Sequence, residues 1–104
     1  MAMKEFFIWL TGTDRIRVRI HTAGGEVREF VAQYETIIDG RWWPVVRYDS
    51  AHGIAHRDLL APKGDTIGKD WYPDIGYADA VNMAIDDRQA NWNRYREVFE
   101  RRMK

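Results

Sequence analysis

Tyr34-Glu35-Thr36-Ile37-Ile38-Asp39-Gly40-Arg41-Trp42-Trp43-Pro44-Val45-Val46 is the stretch that decides the fold. Runs rich in β-branched and aromatic residues flank Asp39-Gly40, the strongest short signal for a two-residue hairpin turn. That turn joins a long strand, Glu26–Ile38, to a second one, Arg41–Asp49. Pro44 has no N–H to give a ladder, so the second strand is an edge there or carries a bulge. Upstream, Arg15-Ile16-Arg17-Val18-Arg19-Ile20 alternates charge and aliphatic, the period of a half-buried strand. Thr22-Ala23-Gly24-Gly25 turns it toward residue 26, and Thr11-Gly12-Thr13-Asp14 joins it to an apolar run over residues 6–10. Downstream, His52-Gly53 centres another turn before a strand over residues 54–60. Such short turns make an antiparallel meander.

Residues 61–76 contain Pro62, Gly64, Gly68, Pro73 and Gly76 and show no clear period, which predicts a long loop pinned by Trp71 and Tyr72. Asp74 is placed to cap a helix. Tyr77, Val81, Ala84, Ile85, Arg88, Trp92, Tyr95, Phe99 and Met103 then recur at helical spacing, and Arg101, Arg102 and Lys104 suit the helix C-terminus. One helix laid across one sheet buries both apolar faces. The expected fold is therefore α+β: a mostly antiparallel meander of about five strands, with one long C-terminal helix packed across a face, all in a single domain over residues 1–104. Arg88 breaks the apolar stripe. Its stem can pack while its head reaches solvent, or it can be buried with a carboxylate that the sheet offers.

The chain has 104 residues, five Trp, five Tyr and four Phe, enough to build a core without metal or disulfide. It has no Cys, which excludes thiolate metal sites and fits a reducing cytosol. Lysine plus arginine and aspartate plus glutamate number 16 each, so no global field draws the chain to nucleic acid and any anion site must be local. The apolar run near the N-terminus is too short to span a bilayer and lacks a signal-peptide cleavage region, so a cytoplasmic address with no membrane partner is expected.

Candidate chemistry concentrates in Arg47-Tyr48-Asp49-Ser50-Ala51-His52-Gly53-Ile54-Ala55-His56-Arg57-Asp58, which holds two of the three histidines. Imidazole titrates near neutrality and guanidinium grips oxyanions. Whether these groups meet depends on register. An unbroken two-residue hairpin pairs Tyr34 with Val45 and Ala32 with Arg47. A loop over residues 50–53 then sets Arg47 opposite His56. Arg47, Asp49, His56 and Asp58 would share one face, with Tyr34 and Trp43 beside them. A loop of odd length would send His56 and Asp58 to the other face.

Three roles fit the cluster. In metal-free phosphodiester cleavage, His52 and His56 supply base and acid, Arg47 or Arg57 holds the phosphate, and Asp49 and Asp58 orient the imidazoles. Trp71 or Tyr72 would stack an unpaired base, and Arg88 joins the substrate-binding set. As a metal site, Asp49, His52, His56 and Asp58 offer a mixed N/O set for Zn or Mn. As structure, the aspartates cap turns and the histidine satisfies a cross-strand arginine. Arg15, Arg17 and Arg19 read as a solvated stripe balanced by Glu26, Glu29 and Glu35. His21 has no evident partner, and Lys63 and Lys69 read as loop charges. Trp42-Trp43 puts one indole on each side of the sheet.

The run from Asp39 through His52-Gly53 to His56-Arg57-Asp58 resembles an uncharacterised family of small prokaryotic proteins. More distantly, its Arg-Tyr-Asp, Ala-His and downstream His elements resemble the TumE-like toxins, grouped with the RelE-like ribonucleases. That resemblance implies a toxin-like, metal-independent endoribonuclease without a cofactor, acting on RNA or the ribosome and opposed by a cognate antitoxin. It would carry function to Arg47, Asp49, His52 and His56. A non-catalytic module that binds another protein through an exposed Trp and the open sheet edge, or a homodimer, is the competing expectation.

Overall fold

Asp39 (φ 53°) and Gly40 (φ 76°) both take positive φ, the geometry of the expected turn. The computed structural model describes residues 2–103, and the side chain of His52 lies outside the described part. Around this hairpin β1 (Ala2–Thr11), β2 (Asp14–Ala23), β3 (Glu26–Ile38), β4 (Arg41–Asp49), β5 (Ala55–Leu60) and β6 (Thr66–Tyr72) form one antiparallel sheet of six strands in chain order. A 3-10 turn, Ala51–Gly53, joins β4 to β5, and α1 (Tyr77–Arg102) packs on β3, β4 and β5. The fold is the expected α+β meander with one more strand. β6 replaces part of the expected loop, pairing with β5 from Ala55↔Tyr72 to Leu60↔Thr66. Its side chains are half-exposed, so its stability comes from main-chain pairing rather than from an apolar pattern. Gly68 permits that approach, since a Cβ there would lie 3.1 Å from Leu59 Cδ1. The helix also starts later than the Asp74 cap implies, with Gly76 at its N-cap and no side-chain cap.

Pro44 produces a bulge. Glu35 opposes Pro44, but Tyr34 opposes Val46, leaving an extra residue in β4 where the proline has no ladder donor. This corrects the expected pairing of Tyr34 with Val45 and of Ala32 with Arg47. Ala32 opposes Tyr48, and Arg47 opposes Gln33. Phe30, Ala32 and Tyr34 therefore face the helix, whereas Arg47 and Asp49 point to the other side. Tyr34 and Trp43 are not beside the polar cluster: their rings meet Trp92 and Phe99 of α1.

Between sheet and helix lie two continuous clusters. Ile16, Val18, Phe30, Ala32 and Tyr48 pack against Ala80, Val81 and Ala84, and Tyr34, Val45 and Val46 pack against Phe99. Full burial of a ring such as that of Phe99 stabilises by roughly 2–3 kcal/mol. The opposite face of the sheet is covered by no described element. No described helix is long and apolar enough to cross a membrane.

Candidate functional site

The uncovered face is ordered in rows, because side chains directly opposite in neighbouring antiparallel strands project to the same side. One row runs Glu5, Arg19, Val31, Asp49, His56, Trp71, and the next runs Phe7, Arg17, Gln33, Arg47, Asp58, Lys69. Asp49 opposes His56 and Arg47 opposes Asp58, two residues beyond the expected pairing of Arg47 with His56. The longer connection is still even, so parity holds and Arg47, Asp49, His56 and Asp58 share one face.

The centre of the cluster is His56, which is 2% exposed. Its Nε2 lies 2.9 Å from Asp49 Oδ1 and 3.6 Å from Asp58 Oδ2. Its Nδ1 lies 3.0 Å from the Ile54 carbonyl oxygen, which only accepts, so Nδ1 carries a proton. Trp71 covers the imidazole with a centroid separation of 5.0 Å and is itself 47% exposed. Asp49 Oδ1 also accepts the Ala51 backbone N–H at 3.0 Å, which ties the carboxylate to the 3-10 turn. Lys69 Nζ stands 3.3 Å from Asp58 Oδ1 and 5.0 Å from the Trp71 ring centroid. Arg47 Nε donates to Gln33 Oε1 at 2.8 Å.

The remaining candidates lie across the sheet. Arg57 donates from Nε to Asp70 Oδ2 at 2.9 Å and from Nη1 to Tyr95 Oη at 3.1 Å, on the helix side. Tyr72 stacks on Tyr48 there. Arg88 is fully buried over the Tyr48 ring, and its Nη1 donates to Asp87 Oδ2 at 2.6 Å. Its carboxylate therefore comes from the helix itself and not from the sheet. Asp87 also receives Tyr95 Oη at 2.7 Å, Tyr48 Oη at 3.2 Å and Asn91 Nδ2 at 2.9 Å. Burial pushes the Asp87 carboxyl up, but these donors and the Arg88 charge outweigh it and hold the group below its ordinary value. Arg57, Tyr72 and Arg88 thus form a clasp between helix and sheet and do not meet Asp49, His56 and Asp58.

Asp49 has a second neighbourhood. A cleft of about 460 Å³ opens where the β2–β3 hairpin, the 3-10 turn and the start of α1 meet, with Arg19, His21, Arg28, Glu29, Asp49 and Ser50 among its walls. Met3 and Tyr77 add apolar surface. A family model described as a domain of unknown function (DUF7718) matches residues 1–104.

The chain belongs to the DUF7718 family. No curated protein and no solved structure matches it. In this DUF7718 chain the cleft groups Arg19, His21 and Arg28 escape sequence reading because they come from β2 and β3, away from the 47–58 stretch. His21 meets Glu29, 3.6 Å away, through the β2–β3 pairing. Lys69 likewise leaves the loop class once β6 exists.

Proposed function

We propose that this protein is a small toxin-like endoribonuclease that cleaves RNA without a metal, in the cleft beside Asp49. The observation that carries this is the company in that cleft: two carboxylates, an imidazole and two guanidinium groups on one set of walls. Asp49 is fixed through Oδ1, which accepts the Ala51 N–H and lies 2.9 Å from His56 Nε2, and Oδ2 is the oxygen assigned to the base. That oxygen takes the proton of a ribose 2′-hydroxyl. The 2′-oxygen attacks phosphorus, and the P–O5′ bond breaks. Protonated His21 gives its proton to the departing 5′-oxygen, which leaves a 2′,3′-cyclic phosphate. Arg19 and Arg28 hold the phosphate and its developing charge. Trp71, exposed at the end of the same row, offers a face for an unpaired base.

His56 is a positioning residue in this scheme, since its ring is buried and both nitrogens face protein acceptors. The resemblance of Arg47, Asp49, His52 and His56 to the TumE-like toxins supports the same class, with the ribosome as one setting for the RNA and an antitoxin as the protein partner. Expression of the wild type is expected to arrest growth. Asp49→Asn and His21→Ala, expressed solubly, are each expected to lower RNA cleavage by about 10²-fold or more, the range for losing a general base or acid. Full activity in both variants would refute the assignment.

A second reading has its own observation. The edge strand β1 presents Met3, Phe7 and Trp9 with 59%, 41% and 55% of their surface exposed, beside an unpaired backbone edge. Such an edge accepts a strand from another polypeptide. Under that reading Trp9→Ala abolishes partner binding and Asp49→Asn leaves it intact, as measured by calorimetry with the partner strand.

A further inference from the structure

Buried charge on the uncovered face has a feature that RNA cleavage in the cleft does not use. Asp58 has a side chain only 10% exposed, and its buried Oδ1 accepts no hydrogen bond among the described residues. Its nearest neighbours are Lys69 Nζ, 3.3 Å from Oδ1 but poorly aligned, and His56 Nε2, 3.6 Å from Oδ2. A buried carboxylate left in that state is costly unless a cation compensates it.

His56 points to where the cation sits. With its Nδ1 proton donated to the Ile54 carbonyl, His56 turns Nε2 to the space between Asp49 and Asp58, and a cation that displaces the Nε2 proton takes that nitrogen as a ligand. A backbone carbonyl on one ring nitrogen and carboxylates around the other is the usual setting of a metal-ligating histidine. One atom from each of the three side chains lies within 4.8 Å of the other two. Ligand atoms about 2.1 Å from a shared ion stand roughly 3.0–3.4 Å apart, so a small closure brings the group to ligand distance.

We propose that Asp49, His56 and Asp58 form a binding site for one divalent cation of the Zn²⁺ or Mn²⁺ class. One nitrogen and two carboxylate oxygens suit these borderline ions, and water completes the shell. Lys69 is the built-in competitor: its ammonium, on a flexible and partly exposed stem, already occupies one side of Asp58. The site stands apart from the cleavage reading and is measured without it. The two share Asp49, so an ion held there withdraws the carboxylate from proton transfer and slows cleavage.

The test is calorimetric titration of the full, tag-free chain with ZnCl₂ and with MnCl₂, beside thermal melts of each protein without metal. One ion per chain is expected for at least one metal, with affinity lowered tenfold or more in Asp58→Asn, the usual range for losing a metal-site group. Lys69→Met, which keeps the stem and removes the competing charge, is expected to bind more tightly than wild type. Should Asp58→Asn not fold, Lys69→Met alone decides. No binding at millimolar metal, or binding unchanged by both substitutions, would overturn the proposal.

Discussion

Among the described residues, Asp14 is the carboxylate with the most side-chain donors. It is 1% exposed and accepts Tyr34 Oη at 2.5 Å, Thr11 Oγ1 at 2.6 Å, Thr36 Oγ1 at 2.8 Å and Thr13 Oγ1 at 2.9 Å, with Arg96 Nη1 at 3.1 Å. Burial pushes its carboxyl up, but the four hydroxyl donors outweigh that and hold it below the ordinary value of 3.8. A depressed folded-state value stabilises fully above the unfolded value and is lost as pH falls through the folded one. Asp14→Asn is therefore expected to cost about 2 kcal/mol near neutrality. That deficit should shrink below pH 3.8, which urea unfolding across pH 2–7 would show. A constant deficit across that range would contradict it. In sequence, Thr11-Gly12-Thr13-Asp14 shows only a turn. The turn is real, but the Tyr34 and Thr36 donors come from β3, and no local pattern announces a cross-strand network.

At the scale of elements, the Asp87 clasp fastens α1 to β4, β5 and β6. Asp87→Ala is expected to destabilise by about 3 kcal/mol or more, because it leaves the buried Arg88 charge uncompensated. Adding Arg88→Met should recover much of the loss, since an apolar side chain then fills the same space. Chemical denaturation of the single and double variants checks both, and a loss below about 1 kcal/mol in Asp87→Ala would remove the clasp from the account. The helix stripe was legible, Arg88 included, because a 3.6-residue period survives one charge. Its carboxylate was not, since Asp87 sits one position away on the helix and falls off the apolar stripe. The Asp39-Gly40 turn was legible from residue type alone. The Val46 pairing was not: Pro44 signals an interruption, and sequence leaves open whether the interruption is a bulge or a strand edge. β6 was hidden by its glycine and by its one-sided, half-exposed pattern.

For the whole molecule, one covered and one uncovered sheet face explain why polar function has room to gather. The helix takes the apolar side chains of β2–β5 and leaves the rows through Asp49–His56 and Arg47–Asp58 facing outward. Parity carried the cluster correctly from sequence to structure, while Arg57 and Tyr72 fell on the helix side by the same alternation and Arg88 came from the helix itself. The cleft that joins Asp49 to His21 needed the complete meander, because its walls come from three separate segments of the chain. The most direct test is to incubate purified wild type, Asp49→Asn and His21→Ala with RNA, alone and with translating ribosomes, in EDTA, and to map the ends formed. New 2′,3′-cyclic phosphate ends are expected with wild type, depleted about 10²-fold in both variants. No cleavage in either setting, or cleavage that both variants retain, would contradict RNA cleavage in this cleft.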